Sequence, residues 1–371
     1  MRIRDLDIWT VGIVCVLIAM GVFTIYSTTF RSHGWYYVVR QGIAVFLGIG
    51  LAVISIVVPY RKWIAWGPYI YALSLALLGI TLVVGHRVAG SRSWLSIGPL
   101  HLQTAEVAKM GVILLLTRFY GGRPGSTHRF HILDLGITLL IVGVPAILVL
   151  WQPDVGTMLT FVVPPVVVWW LLRMPVRYWL TLALAVLVAV PMGWSVLKPY
   201  QRARVLAFLR SEQYDPRGVG YQVIQSKIAL GSGGFWGKGY LRGMHTQLGF
   251  VPERHTDFVI TSLGEEWGFV GVLAVFLLYM GLFSRWLTIA AQHPDPAAQM
   301  LIAIVTAIWG FHVVINTGMA IGWAPVTGLP LPLVSYGGSF MLFCLTTAGW
   351  IESACARRQQ VLNTLPQRWW T

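Results

Sequence analysis

Long runs of apolar residues alternate along this chain with short polar segments. A helix needs about 20 predominantly apolar residues to cross a bilayer. Only 11% of the 371 residues are charged, whereas about a quarter of an ordinary soluble domain is charged. The sequence therefore predicts an all-α polytopic membrane protein with ten transmembrane helices. They fall near residues 8–28, 37–58, 66–85, 105–120, 132–151, 154–172, 177–196, 258–283, 298–322 and 332–353.

The pattern predicts a single transmembrane domain over residues 1–371. Its longest polar interruption, about 197–257, lies between the seventh and eighth predicted helices and is expected to form a large extracytoplasmic loop. Within this loop, 201–209 has the pattern of an amphipathic helix lying on lipid headgroups, and 220–229 that of a short helix. A basic tail covers about 354–371. No cleavage site follows the first apolar run, so it is expected to remain as a helix.

Lysine and arginine are distributed unevenly between the two sets of short loops. Such residues accumulate in cytoplasmic loops, so the bias places both termini in the cytoplasm and the long loop outside. The net charge of +14 is spread between apolar runs, which favours contact with anionic lipid rather than nucleic acid. The set rich in basic residues comprises Arg2, Arg4, Arg61, Lys62, Arg118, Arg123, Arg129, Arg173, Arg177, Arg285, Arg357 and Arg358.

The end of the long loop combines glycines with charged side chains. Six glycines lie within 231–243, where they permit unusual backbone angles and close approach of a ligand. A carboxylate at the mouth of a membrane helix is costly and indicates a functional site. The polar run just before the eighth predicted helix comprises Glu253, Arg254, His255, Thr256 and Asp257.

Several basic residues of the predicted outer face could bind a phosphate or pyrophosphate group. They are Lys227, Lys238, Arg242 and Arg254 in the long loop, and Arg92 in the polar segment 86–104. Because Glu253 and Asp257 are four residues apart, a helical turn would bring them together as a base or as metal ligands.

Ionisable and small polar residues also occur within or beside the predicted helices. Glu106 and Lys109 are three residues apart, so they share a helix face and are expected to pair. Asp154 begins the sixth predicted helix, where aspartate is a favoured N-cap. Ser335 and Ser339 follow helix-breaking prolines in the last predicted helix, which is typical of a broken helix lining a cavity.

Three further polar residues lie in the eighth and ninth predicted helices. Glu265 and Glu266 are adjacent and cannot both point the same way, so at least one is expected to contact a neighbouring helix. Asn316 is interpreted as a partner in an interhelical hydrogen bond rather than as a ligand-binding residue.

Four motifs, in the same order along the chain, resemble those of the SEDS family (shape, elongation, division and sporulation). They occupy 224–234, 237–239, 252–258 and 331–339. Arg254 within Pro-Glu-Arg-His-Thr-Asp, together with the Gly-Lys-Gly of 237–239, resembles the elongation branch of the family.

The resemblance implies a peptidoglycan glycosyltransferase that polymerises lipid II at the outer face of the bacterial cytoplasmic membrane during cell elongation and shape maintenance. Asp257 matches the essential aspartate of the family. Glu106 and Lys109 match its Gln-Pro-Ser-Glu-x-x-Lys motif, and Asp154 matches Gln-Pro-Asp. Here residues 103–106 read Gln-Thr-Ala-Glu, without the proline and serine of the first motif.

The resemblance also implies substrates and partners. The substrates would be lipid II and an undecaprenyl-pyrophosphate-linked glycan, and the partners a class B penicillin-binding protein transpeptidase and other cell-elongation proteins. The resemblance does not imply a particular cofactor. It leaves open whether a divalent cation such as Mg²⁺ or Mn²⁺ binds, with Asp257 as a candidate ligand.

Three alternatives remain at this point: a transporter that flips lipid II, a scaffold that only recruits a transpeptidase, and a division-type polymerase. The charges cluster at one face rather than through the thickness of the membrane, which favours an enzyme over a transporter.

Overall fold

Helices dominate the computed structural model, which describes residues 6–88, 91–97, 100–121, 130–196, 202 and 219–364. Within these residues seven helices are long and apolar enough to cross a membrane, and two shorter apolar segments cover Val155–Leu171 and Val176–Val188. The helices are α1 (Ile8–His33), α2 (Tyr36–Val57), α3 (Tyr60–Val84), α4 (Thr104–Tyr120), α5 (Ile132–Trp151), α6 (Val155–Thr160), α7 (Val163–Leu171), α8 (Val176–Val196), α9 (Val219–Ser232), α10 (Met244–Leu248), α11 (Val259–Gln292), α12 (Pro296–Ile321) and α13 (Gly338–Thr364).

Most predicted spans match observed helices within a few residues, but three differ. The sixth is divided into α6 and α7, just before Pro164 and Pro165. The eighth runs on to Gln292 and is interrupted at Gly268. The last begins at Gly338 rather than 332 and extends to Thr364, so the first part of the predicted tail is helical. The predicted amphipathic helix at 201–209 lies outside the described residues except for position 202.

The polar segment 86–104 contains a small antiparallel sheet, so the prediction of an all-α fold was wrong here. Strands β1 (His86–Val88), β2 (Ser91–Ile97) and β3 (Leu100–Gln103) pair in the order β1-β2-β3. The β2–β3 register pairs Ile97 with Leu100 and Trp94 with Gln103. Short runs of alternating polarity around Gly98-Pro99 carried the signal for a hairpin, but they were interpreted as a loop.

The centre of the bundle is built from α4, α12 and α13. The most apolar window of α13 is 83% buried, whereas those of α2 and α3 are 22% buried. The main packing pairs are α2 with α13 and α3 with α4. The outer helices therefore present most of their apolar side chains to the surroundings, as expected for helices in contact with lipid.

Ion pairs and a hydrogen bond between Asp7 N and Glu352 lie at the end of the bundle that holds both termini, hereafter the termini end. The Arg285 guanidinium contacts the carboxylate of Asp7, which precedes α1, at 2.8 and 2.9 Å. Arg61 pairs with Asp295 at 2.9 Å. In the helical part of the predicted tail, Arg357 donates to the last carbonyls of α2, where a cation stabilises the helix dipole. The sheet, α9 and α10 lie at the other end, hereafter the site end.

Helix α11 is broken at Gly268, where φ is 67° and ψ is −163°. A break leaves the carbonyls before it and the amides after it without helical partners. The glycine-rich segment 233–239 lies in this break and supplies those partners through its own backbone. The hydrogen bonds are Lys238 N to Glu265 O (3.0 Å), Gly239 N to Glu266 O (2.9 Å), Phe269 N to Gly234 O (3.0 Å) and Val270 N to Phe235 O (3.2 Å).

Two of the glycines in 233–239, Gly233 and Gly237, approach another backbone closely. A methyl group at Gly233 would overlap the carbonyl oxygen of Gly264, and one at Gly237 that of Glu266. Buried irregular backbone is tolerated where its polar groups are satisfied within the protein. The glycine run supplies the partners that the break in α11 would otherwise lack.

Gly233→Ala is expected to destabilise the protein by about 1–3 kcal/mol, because the added methyl must displace backbone. The matched control is Gly231→Ala, where no atom lies within 4 Å of an added Cβ and alanine favours the helix by up to about 1 kcal/mol. Thermal unfolding of the purified variants in detergent measures the difference. Equal melting temperatures for the two variants would contradict the assigned role of the segment.

Candidate active site

Asp257 lies in a tight turn just before α11. The carbonyl oxygen of Glu253 accepts hydrogen bonds from the amides of Thr256, Asp257 and Phe258 at 3.1–3.2 Å. Glu253 itself has φ of 49°, a left-handed conformation that costs about 1–3 kcal/mol outside glycine and is concentrated at functional sites. The predicted turn is thus present, and the Asp257 side chain is half-buried at its end.

Three consecutive carbonyls of this turn are each held by a donor from the region between α12 and α13 or from α12 itself. His255 O accepts from Tyr336 N at 2.9 Å. Thr256 O accepts from Ser335 Oγ at 2.7 Å. Asp257 O accepts from Asn316 Nδ2 at 2.8 Å. The backbone of the turn is therefore fixed independently of the Asp257 carboxylate.

The floor beneath the Asp257 carboxylate is Gly328, in the non-helical segment between α12 and α13. Gly328 has φ of +76°, and a Cβ added there would lie 3.5 Å from Asp257 Oδ2. Glycine adopts this angle without strain and leaves the space under the carboxylate open. The segment predicted to be a broken helix is non-helical up to residue 337 and precedes α13, so the helix itself is not broken. This segment lies against the predicted catalytic residue.

Aromatic rings enclose His255 on the other side of the turn. Its imidazole lies 4.6 Å from the Tyr37 ring and 5.6 Å from the Tyr336 ring, measured between centroids. Burial raises the pKa of the Tyr336 hydroxyl, so this phenol remains neutral. His255 and Thr256 thus lie beside Asp257 as predicted, and Thr256 Oγ1 donates to Glu253 at 3.1 Å.

Glu106 and Lys109 form the predicted ion pair. Lys109 Nζ lies 2.9 Å from Glu106 Oε2, and both side chains are at least 95% buried. The ammonium also lies 4.6 Å from the centroid of the Phe343 ring and 3.4 Å from His312 Nε2. A buried pair of this kind is costly to desolvate, which indicates a role beyond stability.

Asp154 caps α6, as predicted. Its carboxylate accepts from the Thr157 amide at 3.0 Å and from the Gln103 side chain at 3.3 Å. The backbone N–H of Gln103 in turn donates to Ser339 Oγ at 3.0 Å. Asp154 is thereby linked to the residue that immediately precedes α4, the helix of Glu106 and Lys109.

Ser335 and Ser339 are buried and contact backbone. Ser335 Oγ accepts from Leu331 N at 2.8 Å while donating to Thr256, and Ser339 Oγ donates to His101 O at 2.9 Å. Both hydroxyls, predicted to line a cavity, bind backbone carbonyls and so join neighbouring segments of the site.

The predicted basic residues differ in their surroundings. Arg254 donates to Thr28 O on α1 at 2.7 Å. Lys238 lies 2.8 Å from the fully buried carboxylate of Glu265. The other three predicted basic residues, Lys227, Arg242 and Arg92, are exposed. The backbone amide of Arg92 donates to Gln152 O.

Glu265 and Glu266 both contact neighbouring helices, as predicted for at least one of them: both accept from α10, and Glu266 also accepts from α1. Glu265 accepts from the amides of His245 and Thr246 at the start of α10, at 2.9 and 2.8 Å. Glu266 accepts from Ser27 on α1 and from Gln247. The two carboxylates fix α10 and α1 against the broken part of α11.

His312 is a buried site residue that the sequence interpretation missed. It lies on α12 between Lys109 and the carbonyl oxygen of Pro330, which is 3.0 Å from Nδ1. An ionisable residue inside a predicted span was the available signal. Its spacing of four residues from Asn316 places both on one face of α12.

The side chains of the described residues do not form a complete binding site for a resident metal ion. Within the residues that the structure describes, no group of three or more His, Cys, Asp and Glu side chains could hold one. Mg²⁺ is, however, commonly held by one or two carboxylates together with substrate phosphates. Asp257 therefore fits a cation that arrives with a phosphorylated substrate.

Comparison with known proteins identifies the family. A family model for FtsW, RodA and SpoVE, described as "Cell cycle protein", matches residues 6–360. Peptidoglycan glycosyltransferase MrdB of Escherichia coli (strain K12) is 36% identical over 322 residues, which cover 86% of this chain and 85% of that protein. Peptidoglycan glycosyltransferase RodA of Treponema pallidum (strain Nichols) is 30% identical over 439 residues, covering 96% and 100%.

Solved structures agree with this match. One, described as a peptidoglycan synthase complex with structural coordination of polymerization and crosslinking, gives a TM-score of 0.81 at 35% identity, covering 96% of this chain and 99% of that chain. Rod shape determining protein RodA of Thermus thermophilus gives 0.71 at 30% identity, covering 95% and 97%. The chain is a polytopic α-helical membrane protein and belongs to the FtsW/RodA/SpoVE family, the SEDS family of the sequence analysis.

Lys238→Met is expected to lower the stability of the protein by about 1–3 kcal/mol, because the buried Glu265 carboxylate loses its cation. Arg242→Met, which changes an exposed side chain, is expected to leave the melting temperature unchanged and to raise KM for a pyrophosphate-linked substrate. Thermal unfolding and steady-state kinetics of both variants measure these effects. If Lys238→Met instead melts like the wild type and raises KM, its ammonium contacts substrate.

Proposed function

We propose that this chain polymerises lipid II into glycan strands for cell elongation and shape maintenance. It is a peptidoglycan glycosyltransferase, like its relatives of the elongation type. The observation that carries the proposal is Asp257, a half-buried residue on a turn whose backbone carbonyls are held by three donors. The relatives named peptidoglycan glycosyltransferase MrdB and RodA supply the class of reaction.

Asp257 acts as the general base in this proposal. The 4-hydroxyl of the N-acetylglucosamine of lipid II attacks C1 of the N-acetylmuramic acid at the end of the growing strand. The Asp257 carboxylate takes the hydroxyl proton, the C1–O bond to the pyrophosphate breaks, and undecaprenyl pyrophosphate leaves with inversion at C1. A positioned base of this kind contributes about 10²–10⁴-fold to a rate.

The exposed basic side chains of the site end handle the leaving group. Lys227 and Arg242 offer their charge to the pyrophosphate, with Arg92 on the sheet as a third contact. Arg254 and Lys238 are already bound to protein groups. Their main role in this proposal is therefore to hold the site in shape, and contact with substrate is secondary. Glu106, Lys109 and Asp154 form the buried side of the same site.

A divalent cation, Mg²⁺ or Mn²⁺, would bind with the pyrophosphate and neutralise part of its charge. Asp257 is the candidate protein ligand. The proton transfer and the holding of the turn are performed by the protein whether or not such an ion is bound.

The chain crosses the bacterial cytoplasmic membrane ten times in this proposal. To the seven long apolar helices it adds α4, the α6–α7 pair and α8. Both termini are cytoplasmic, because the basic loops lie with them, and the site end faces outward. The segment 197–257 then follows the seventh span as a large extracytoplasmic region.

The polymerase works with a class B penicillin-binding protein transpeptidase and other elongation proteins. Support comes from the likeness to a solved synthase complex described as coordinating polymerization with crosslinking. The polymer made at the site end would pass to a transpeptidase on the same face of the membrane.

Asp257→Asn is expected to reduce polymerisation by at least about 100-fold, because the amide cannot accept the hydroxyl proton. The change is isosteric and leaves the backbone contacts of the turn intact, so the melting temperature should stay close to that of the wild type. Gel analysis of polymer made by purified protein from fluorescent lipid II measures the rate. A folded Asp257→Asn variant with wild-type activity would exclude Asp257 as the base, and lipid translocation without polymer would favour a flippase.

Chelation by EDTA is expected to slow polymerisation, and Mg²⁺ or Mn²⁺ to restore it, since a cation neutralises the pyrophosphate. The same lipid II assay with and without chelator measures this effect. An unchanged rate would mean that the basic side chains alone neutralise the leaving group.

A further inference from the structure

Asn316 occupies an unusual position on α12. The side chain is fully buried, and its Nδ2 donates to Asp257 O and to Leu329 O, each at 2.8 Å. Both partners are carbonyl oxygens, so only the NH₂ group can face them. One amide group therefore joins the turn of Asp257 to the non-helical segment before α13.

The arrangement is costly for the folded state. Asn316 Oδ1 is buried and has no hydrogen-bond partner among the residues that the structure describes. A buried polar atom without a partner costs about 1–3 kcal/mol. Stability alone does not account for this asparagine, which indicates that its two donors serve the site.

His312, one turn earlier on α12, makes the matching contacts. Pro330 O can only accept, so Nδ1 must carry the hydrogen; the Lys109 ammonium can only donate, so Nε2 must accept. Both contacts are satisfied only by a neutral imidazole protonated at Nδ1. His312 thereby links the buried Glu106–Lys109 pair to the carbonyl next to the one that Asn316 holds.

We infer that Asn316, supported by His312, is a positioning residue that fixes Asp257 relative to the Glu106–Lys109 pair. The two side chains hold the adjacent carbonyls of Leu329 and Pro330, and Asn316 also holds the backbone of Asp257. Gly328, the floor of the Asp257 carboxylate, directly precedes this pair of carbonyls. The inference rests on the proposed function, in which Asp257 is the base.

The role of Asn316 predicts a loss of turnover rather than of substrate binding. Misplacing a reacting group by about 1 Å costs up to about 100-fold in rate. Asn316→Leu removes both donors at similar volume, and we expect kcat for lipid II polymerisation to fall about 10–100-fold while KM changes less than threefold. Asn316→Gln keeps the two donors on a longer side chain and should retain more of kcat than Asn316→Leu.

The matched control is Thr347→Val, at a buried contact between α12 and α13 away from the turn. It removes the acceptor of Trp309 Nε1, which lies 3.3 Å from Thr347 Oγ1. This variant should lose thermal stability but keep wild-type kcat and KM. A purely structural role for Asn316 would make it behave in the same way.

The outcomes separate this inference from the proposed function. If the wild type makes polymer, Asp257→Asn does not, and folded Asn316→Leu keeps kcat within threefold, the positioning role is excluded and the base remains. The positioning role would also be overturned if Asn316→Leu and Thr347→Val lost the same fraction of kcat, or if Asn316→Leu changed KM alone. If Asp257→Asn is as active as the wild type, the proposed function itself fails.

Discussion

Non-helical backbone packed inside a bundle must find its hydrogen bonds within the protein, because a buried N–H or C=O group without a partner is costly. The chain meets this condition at two places. The break in α11 at Gly268 is satisfied by the glycine-rich segment 233–239. The segment between α12 and α13 is satisfied by side chains of α12 and by the turn that ends at Asp257. Together the two solutions determine where the candidate site lies.

Charge is distributed according to the same constraint. The ion pairs at the termini end, such as Arg285 with Asp7, join elements distant in sequence. At the site end, the buried carboxylates are occupied by donors of the protein: Glu265 by α10 and Lys238, Glu266 by α1 and Gln247. The turn of Asp257 is held through the backbone carbonyls of His255, Thr256 and Asp257, so the backbone that carries this carboxylate is fixed whatever its charge.

Much of this architecture follows from the sequence, because hydrophobic length determines where helices can span. The Glu106–Lys109 pair and the Asp154 cap also follow, since both depend on spacing within a few residues. The break in α11 and the hydrogen bonds of Asn316 and His312 do not. They depend on contacts between segments far apart in the chain. In addition, a glycine that lies beside a ligand cannot be told from one that lies beside another backbone by its neighbours in the sequence. The family assignment was confirmed by the family model.

The close backbone contact at Gly233 and Gly237 affects how natural variation in such proteins should be interpreted. A methyl group is excluded there by the carbonyls of Gly264 and Glu266, so the backbone contact alone limits these positions to glycine. Arg242, which faces the substrate in the proposed function, is exposed and has no such steric limit. An invariant glycine at position 233 or 237 would therefore report the packing of two backbones and would not by itself indicate contact with substrate.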